Sequence, residues 1–205
     1  MSTQEQVLTN ARLVLDDEVI DGTLVIRDGR IAAIDHGASQ TGGAVDCEGD
    51  TLLPGLVELH TDNMEKYFQP RPKVEWPGRQ AALAHDAQMA ASGITTVFDA
   101  VSIGDVDEQS MRHRALDEMC HALSQIVHDG LARVDHRLHL RCEVSHPNTL
   151  VRFGELSSSP LLGLVSLMDH APGQRQFASL EAYRVYYQGK YQLDDAAMNA
   201  FMATQ

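Results

Sequence analysis

Apolar and polar residues follow one pattern up to residue 54 and a different one after it. From residue 6 to 53 the apolar runs are short, as in "QVLTNARLVLDD" and "GTLVIRDGRIAAIDHG". They carry Asp21-Gly22 and Asp28-Gly29, and Asp-Gly between apolar runs signals a hairpin because both turn residues tolerate positive φ. Residues 1–54 are therefore expected to form a small antiparallel sheet of their own. After Pro54-Gly55 the runs change character. "GLVELH" is almost continuously apolar, as a strand covered on both faces must be. "GRQAALAHDAQMAASG" has helical composition and stops at Gly93, a suitable C-terminal cap.

The alternation then repeats. "ITTVFDAV" predicts a second buried strand. "SMRHRALDEMCHALSQIVHDG" predicts a helix, with Leu116, Met119, Leu123, Ile126 and Val127 at helical spacing and Gly130 past its end. "HRLHLRCEV" reads as a third strand, "NTLVRFGEL" as a short helix and "LLGLVSLMDH" as a fourth strand. Strand alternating with helix means parallel βαβ units and an α/β fold. About four units occupy residues 55–205. They fit either a doubly wound sheet or half of a (β/α)₈ barrel, whose full size is typically about 250 residues. The closing "LDDAAMNAFMATQ" is helical in composition with neither cap nor closing strand, so a truncated protein is expected.

Composition narrows the function classes. With 43% hydrophobic and 22% charged residues, the 205-residue chain can bury a core. Sixteen Lys and Arg against 29 Asp and Glu give a formal charge of -13. That excludes the basic footprint of a nucleic-acid-coating protein, and it means an anionic substrate must be held by local cations. Cys47, Cys120 and Cys142 form no CxxC pair, which fits reduced thiols in a cytoplasmic protein. The N-terminus lacks the basic start and apolar core of a signal peptide, and no run reaches membrane-spanning length.

Polar residues gather at the C-terminal ends of the predicted strands, the ligand-binding face of parallel α/β folds. Strand one ends in His60-Thr61-Asp62, strand two in Asp99, strand three in Glu143 and strand four in Asp169-His170. Residues two apart on a strand point the same way, so His60 and Asp62 can converge on one ion. With Glu143 and His170 they make a mixed N/O set suited to Zn²⁺ or Mn²⁺. The alternative, hydrogen-bonded strand-end groups without an ion, stays open on the residues alone. Asp99 is expected to cap the following helix. His85, His113, His121 and His128 are expected to be solvated or packing residues on helices. His136 and His139 fall at a strand start, opposite the expected catalytic face. The loop "NMEKYFQPRPKVEWPGR", stiffened by Pro70, Pro72 and Pro77, offers Arg71, Lys73 and Arg79 beside Trp76 as an anion-binding lid, or else a packing loop. The segment after strand four adds Arg175 and Lys190, with "AYRVYY" reading as an amphipathic helix face.

The strand-rich start followed by "LLPGLVELHTD" and βα units resembles the amidohydrolase superfamily, which joins a small β-sandwich to a (β/α)₈ barrel. The resemblance implies a partial barrel of that kind after an N-terminal portion of the sandwich. Strand one of that superfamily commonly ends in HxH, and here Asp62 replaces the second histidine. "ELHTDNMEKYFQPRPKVEWP", "HDAQMAASGITTVFDAVSIGD", "HRLHLRCEV" and "LVSLMDHAPGQRQF" are similar to its phosphonate-metabolism branch, metal-dependent diphosphatases feeding the carbon–phosphorus lyase pathway. What the resemblance implies is hydrolysis of a phosphorylated ribosyl phosphonate, a 5-triphosphate giving the 5-phosphate form and pyrophosphate. It implies His60, Asp62 and Glu143 as metal ligands, with His170 a further candidate, and Arg71, Lys73, Arg175 and Lys190 as substrate contacts. The residue that activates water is expected beyond residue 205. The chain alone is accordingly expected to be inactive and to self-associate or join other phosphonate-pathway proteins. The competing expectations are an amidohydrolase of cyclic amides or N-acetyl groups, and a non-catalytic fragment.

Overall fold

The structure, a computed structural model, describes residues 5–71, 73–104, 111–171 and 179–203, the side chains of 111–113 excepted. It separates into two compact units, Met1–Gly55 and Leu56–Gln205. No helix among the described residues is long and apolar enough to cross a membrane.

The first unit is one five-stranded sheet. β1 (Glu5–Val14), β2 (Val19–Arg27) and β3 (Arg30–His36) run antiparallel. The two-residue strands β4 (Val45–Asp46) and β5 (Thr51–Leu52) pair with β1 in parallel, so the expected antiparallel sheet is in fact mixed. Asp28 and Gly29 turn the chain between β2 and β3 with φ of 52° and 75°, as the Asp-Gly signal requires. Asp21-Gly22 does not turn. It lies inside β2, where Gly22 pairs with Ala11 on one side and His36 on the other. A Cβ on Gly22 would stand 2.4 Å from the Asp35 carbonyl oxygen, so close backbone approach explains the glycine. The reversal from β1 to β2 falls at residues 15–18, where the Leu15 amide donates to the Glu18 carbonyl at 2.9 Å.

The second unit holds β6 (Leu56–Thr61), β7 (Ile94–Ile103), β8 (Asp135–Glu143) and β9 (Leu162–Met168), all parallel and in sequential order. That order has no reversal point, which rules out the doubly wound sheet and gives the curled half of a barrel. The connecting helices are α1 (Asn63–Phe68), α2 (Gly78–Ala91), α3 (Met111–His128) and α4 (Thr149–Leu156). Gly93 and Gly130 end α2 and α3 at positive φ, 76° and 66°, as their positions predict. α1 is a departure: the stretch read as a lid loop begins as a helix, because Met64 and Phe68, four apart, bury together in the core. β8 shows the logic of the sheet. His136, Leu138, Leu140 and Cys142 face the helices and are buried, while Arg137, His139, Arg141 and Glu143 lie on the opposite face. α5 (Leu180–Tyr191) and α6 (Asp195–Ala203) follow, joined through Tyr183, Tyr187, Met198 and Phe201.

Candidate functional site

The face of the second sheet turned away from the helices carries polar groups from different strands, beside the apolar Phe98, Leu164 and Met168. His60 and Asp62 stand at the end of β6, with His60 Nε2 3.7 Å from Asp62 Oδ1. The Arg141 guanidinium donates to the same Asp62 oxygen at 3.0 Å from β8. The His60 ring meets the His139 ring edge-on, centroids 5.1 Å apart. His139 Nε2 in turn lies 2.8 Å from Ser166 Oγ on β9. The His60–His139 and Asp62–Arg141 contacts cross β7, whose residues paired with His139 and Arg141 are Ala100 and Ser102. Neighbouring strands lie about 4.8 Å apart, so side chains of β6 and β8 meet only because β7 offers small ones between them. Burial lowers the His139 pKa, and His60 and Arg141 nearby lower it further.

At the end of β8 the Glu143 carboxylate is buried. It accepts from Ser145 Oγ at 2.8 Å and from the His170 amide at 3.1 Å, and its other oxygen lies 2.5 Å from His170 Nδ1. Burial alone would raise its pKa, but the His170 and Ser145 donors outweigh that and hold it below the usual carboxylate value. Tyr183 of α5 feels this charge: burial, then the Glu143 carboxylate, raise its phenol pKa. The predicted ligands thus form two pairs, His60–Asp62 and Glu143–His170, and no described three-ligand cluster includes them.

The cationic residues fall differently. Arg71 and Lys73 are exposed in the bridge Arg71–Val74, Lys73 with φ of 63°. Lys190 is on α5 and not in a loop, its ammonium 4.9 Å from the Tyr191 ring centre. Arg175 lies outside the described residues. A separate cleft of about 530 Å³ beside α4, lined by Cys142, Val144, Phe153 and Val165 among others, contains none of the predicted site residues.

Sequence reasoning missed a second polar cluster, on the helix-covered face. Asp99 is not at a strand end and caps no helix; it sits within β7, fully buried. His85 of α2 meets its Oδ1 at 2.6 Å, and His136 Nδ1 meets its Oδ2 at 2.7 Å. His136 Nε2 reaches Asp86 at 3.3 Å, and Asp86 also takes the Arg133 amide and guanidinium at 2.8 and 2.7 Å. His85 is therefore no solvated residue. A signal existed: Ala81, Ala82, His85, Asp86 and Met89 share one buried stripe of α2. Burial works against charge on Asp99 and Asp86, yet the His136, His85 and Arg133 donors win and both pKa values fall. His136, opposed by burial but flanked by both carboxylates, has its pKa raised. His85, Asp99 and His136 bring potential ligand atoms within 4.8 Å of one another. Both Asp99 oxygens are already hydrogen-bonded, one to each imidazole, while His85 Nδ1 is buried without a hydrogen-bond partner among the described residues.

A sequential parallel sheet curled as half a barrel follows a separate mixed sheet, and solved hydrolases share this fold. A triazine hydrolase from Arthrobacter aurescens superposes with a TM-score of 0.54 at 14% identity, over 98% of this chain and 56% of that one. The chain is a homologue of the alpha-D-ribose 1-methylphosphonate 5-triphosphate diphosphatase of Escherichia coli, 51% identical over 97% of its length and 53% of the relative's. An imidazolonepropionase of Sphingopyxis alaskensis is 31% identical over 64% of this chain and 32% of its own length. The chain thus spans about half the length of the diphosphatase it matches. No family model matches.

Proposed function

We propose that the chain contributes part of the active site of a metal-dependent diphosphatase that releases pyrophosphate from a ribosyl 5-triphosphate carrying an alkylphosphonate. The observation that carries this reading is the 51% identity to the E. coli diphosphatase over 97% of the chain. In it, His60, Asp62, Glu143 and His170 hold a divalent ion, Zn²⁺ or Mn²⁺. The first pair fits in spacing, with Asp62 Oδ1 shared with the Arg141 guanidinium: 3.7 Å is too long for a hydrogen bond and near the roughly 3.3 Å between two ligands of a tetrahedral ion with bonds of about 2.05 Å. Glu143 and His170 fit once the hydrogen bond between them opens. When bound, the ion lowers the pKa of water and offsets charge on the phosphoryl group. The protein's own part is to keep Glu143 ionised before the ion binds, through His170 and Ser145, and to supply cations. Arg71, Lys73, Arg175 and Lys190 are assigned that second role, in a cytoplasmic setting that provides the phosphorylated substrate.

The reaction assay is pyrophosphate release from the ribosyl triphosphate with Zn²⁺ or Mn²⁺ present, run beside ring opening of cyclic amides. The chain is assayed alone and together with the remaining part of the E. coli relative expressed as a second chain. Pyrophosphate release that requires His60 is expected from the pair. Ring opening without pyrophosphate release would overturn the assignment.

A further inference from the structure

We propose that Arg141 is the anion-receiving group of the polar sheet face, and that Asp62 is the residue that positions it. The inference rests on the diphosphatase reading for its ligand class, a polyphosphate or phosphate ester. The chain carries a formal charge of -13, so a polyanion is repelled at long range and needs a cation inside the site. The lid cations Arg71 and Lys73 are exposed, where solvent and salt screen them. Arg141 is different, because its side chain is only 16% exposed and sits on β8 two residues before Glu143 on the same face.

A guanidinium offers five N–H donors in a fixed planar fork. Among the described residues, Asp62 is the hydrogen-bond acceptor that the Arg141 side chain meets, through Nη1. One carboxylate contact tethers the fork at one end and leaves the remaining donors for a second acceptor. Ser102 beside it on β7 is small, so at its own level the guanidinium is open to approach from the inner face. His60 and His139, in ring contact and adjoining Asp62 and Arg141 respectively, border the same space. Phosphoryl oxygens match a guanidinium fork in geometry as well as charge, which an ammonium does not. Asp62 therefore acts on the ligand through Arg141, whatever else its carboxylate holds.

The test uses the full chain, freed of metal with a chelator, and inorganic tripolyphosphate as the probe, with binding followed by titration calorimetry. The wild type is expected to bind, and Arg141→Gln to bind roughly ten- to hundredfold more weakly, the range for a lost charge-assisted hydrogen bond. Arg141→Lys should recover part of the loss, and Asp62→Asn should weaken binding less than Arg141→Gln does. Arg27→Gln, which removes a cation paired with Glu5 in the other sheet, should bind as wild type. If Arg141→Gln unfolds the chain by circular dichroism, the Arg side-chain Nε–H resonances of the wild type decide instead. A selective shift on adding tripolyphosphate supports the assignment. Absence of wild-type binding, unchanged binding by Arg141→Gln, or unmoved resonances overturns it. Zinc content and pyrophosphate release are measured separately, so failure of the metal-dependent reading cannot be confused with failure at Arg141.

Discussion

Asp99→Asn replaces a buried carboxylate by an amide of nearly the same shape, and the structure gives the consequence. Asp99 accepts from His85 at 2.6 Å and from His136 at 2.7 Å with no exposure to solvent. An asparagine keeps one acceptor oxygen and turns the other position into a donor, facing an imidazole that donates there. His136, raised in pKa by Asp99 and Asp86, also loses one of its two countercharges. Removing one partner of a buried charged pair costs about 3–5 kcal/mol. For a unit of this size each kcal/mol moves the midpoint by about 2–4 °C, so a fall of roughly 6–20 °C is expected. Urea unfolding followed by circular dichroism measures the free energy, and thermal scans measure the midpoint. The pH dependence adds a second check with a fixed sign. His136 has a raised folded pKa, so its contribution is complete below the unfolded imidazole value of about 6.5 and is lost as pH climbs through the folded value. Asp86 and Asp99 have lowered folded pKa values, so theirs is complete above about 3.9 and is lost as pH falls through the folded values. The network is strongest between those limits, and Asp99→Asn should flatten both edges. A loss under about 1 kcal/mol with an unchanged pH profile would refute this account of the cluster.

Gly22→Val is expected to destabilise the N-terminal sheet by about 2 kcal/mol or more, because the new Cβ meets the Asp35 carbonyl oxygen at 2.4 Å, read by thermal unfolding. Unchanged stability would mean that β2 and β3 are not so closely paired. Native thiol labelling at pH 8 followed by mass spectrometry should modify half-buried Cys47 first. Cys120 should resist until the protein unfolds, since burial, then Asp117, push its thiol up to about 12; early labelling there would show that α3 opens readily.

The order of elements was legible because local rules decide it. Apolar runs and helical spacing foretold β6 to β9 and α2 to α4, and Gly93 and Gly130 marked helix ends that need positive φ. Asp28-Gly29 turned as its type requires, whereas Asp21-Gly22 has the same two letters inside a strand. What separates them is the backbone of Asp35 thirteen residues on, a tertiary fact no dipeptide carries. The same limit applies to the polar groups. His60 and Asp62 could be placed on one face by counting, but the contact with Arg141, 79 residues away, depends on the register of three strands. Asp99 looked like a strand-end cap because its strand was cut short in the reading; β7 continues to Ile103, which puts the carboxylate among core residues.

β7 has a consequence for how this chain can vary. At Ala100 and Ser102 it gives the inner face little bulk, and there the strands on either side are in direct touch. Substitutions at His60 and His139, or at Asp62 and Arg141, are then not independent, and neither pair can be read one position at a time. Enlarging Ala100 would separate the first pair, and enlarging Ser102 the second, without altering any of their four residues. Among homologues, covariation should accordingly link β6 to β8 more strongly than either links to the strand hydrogen-bonded between them.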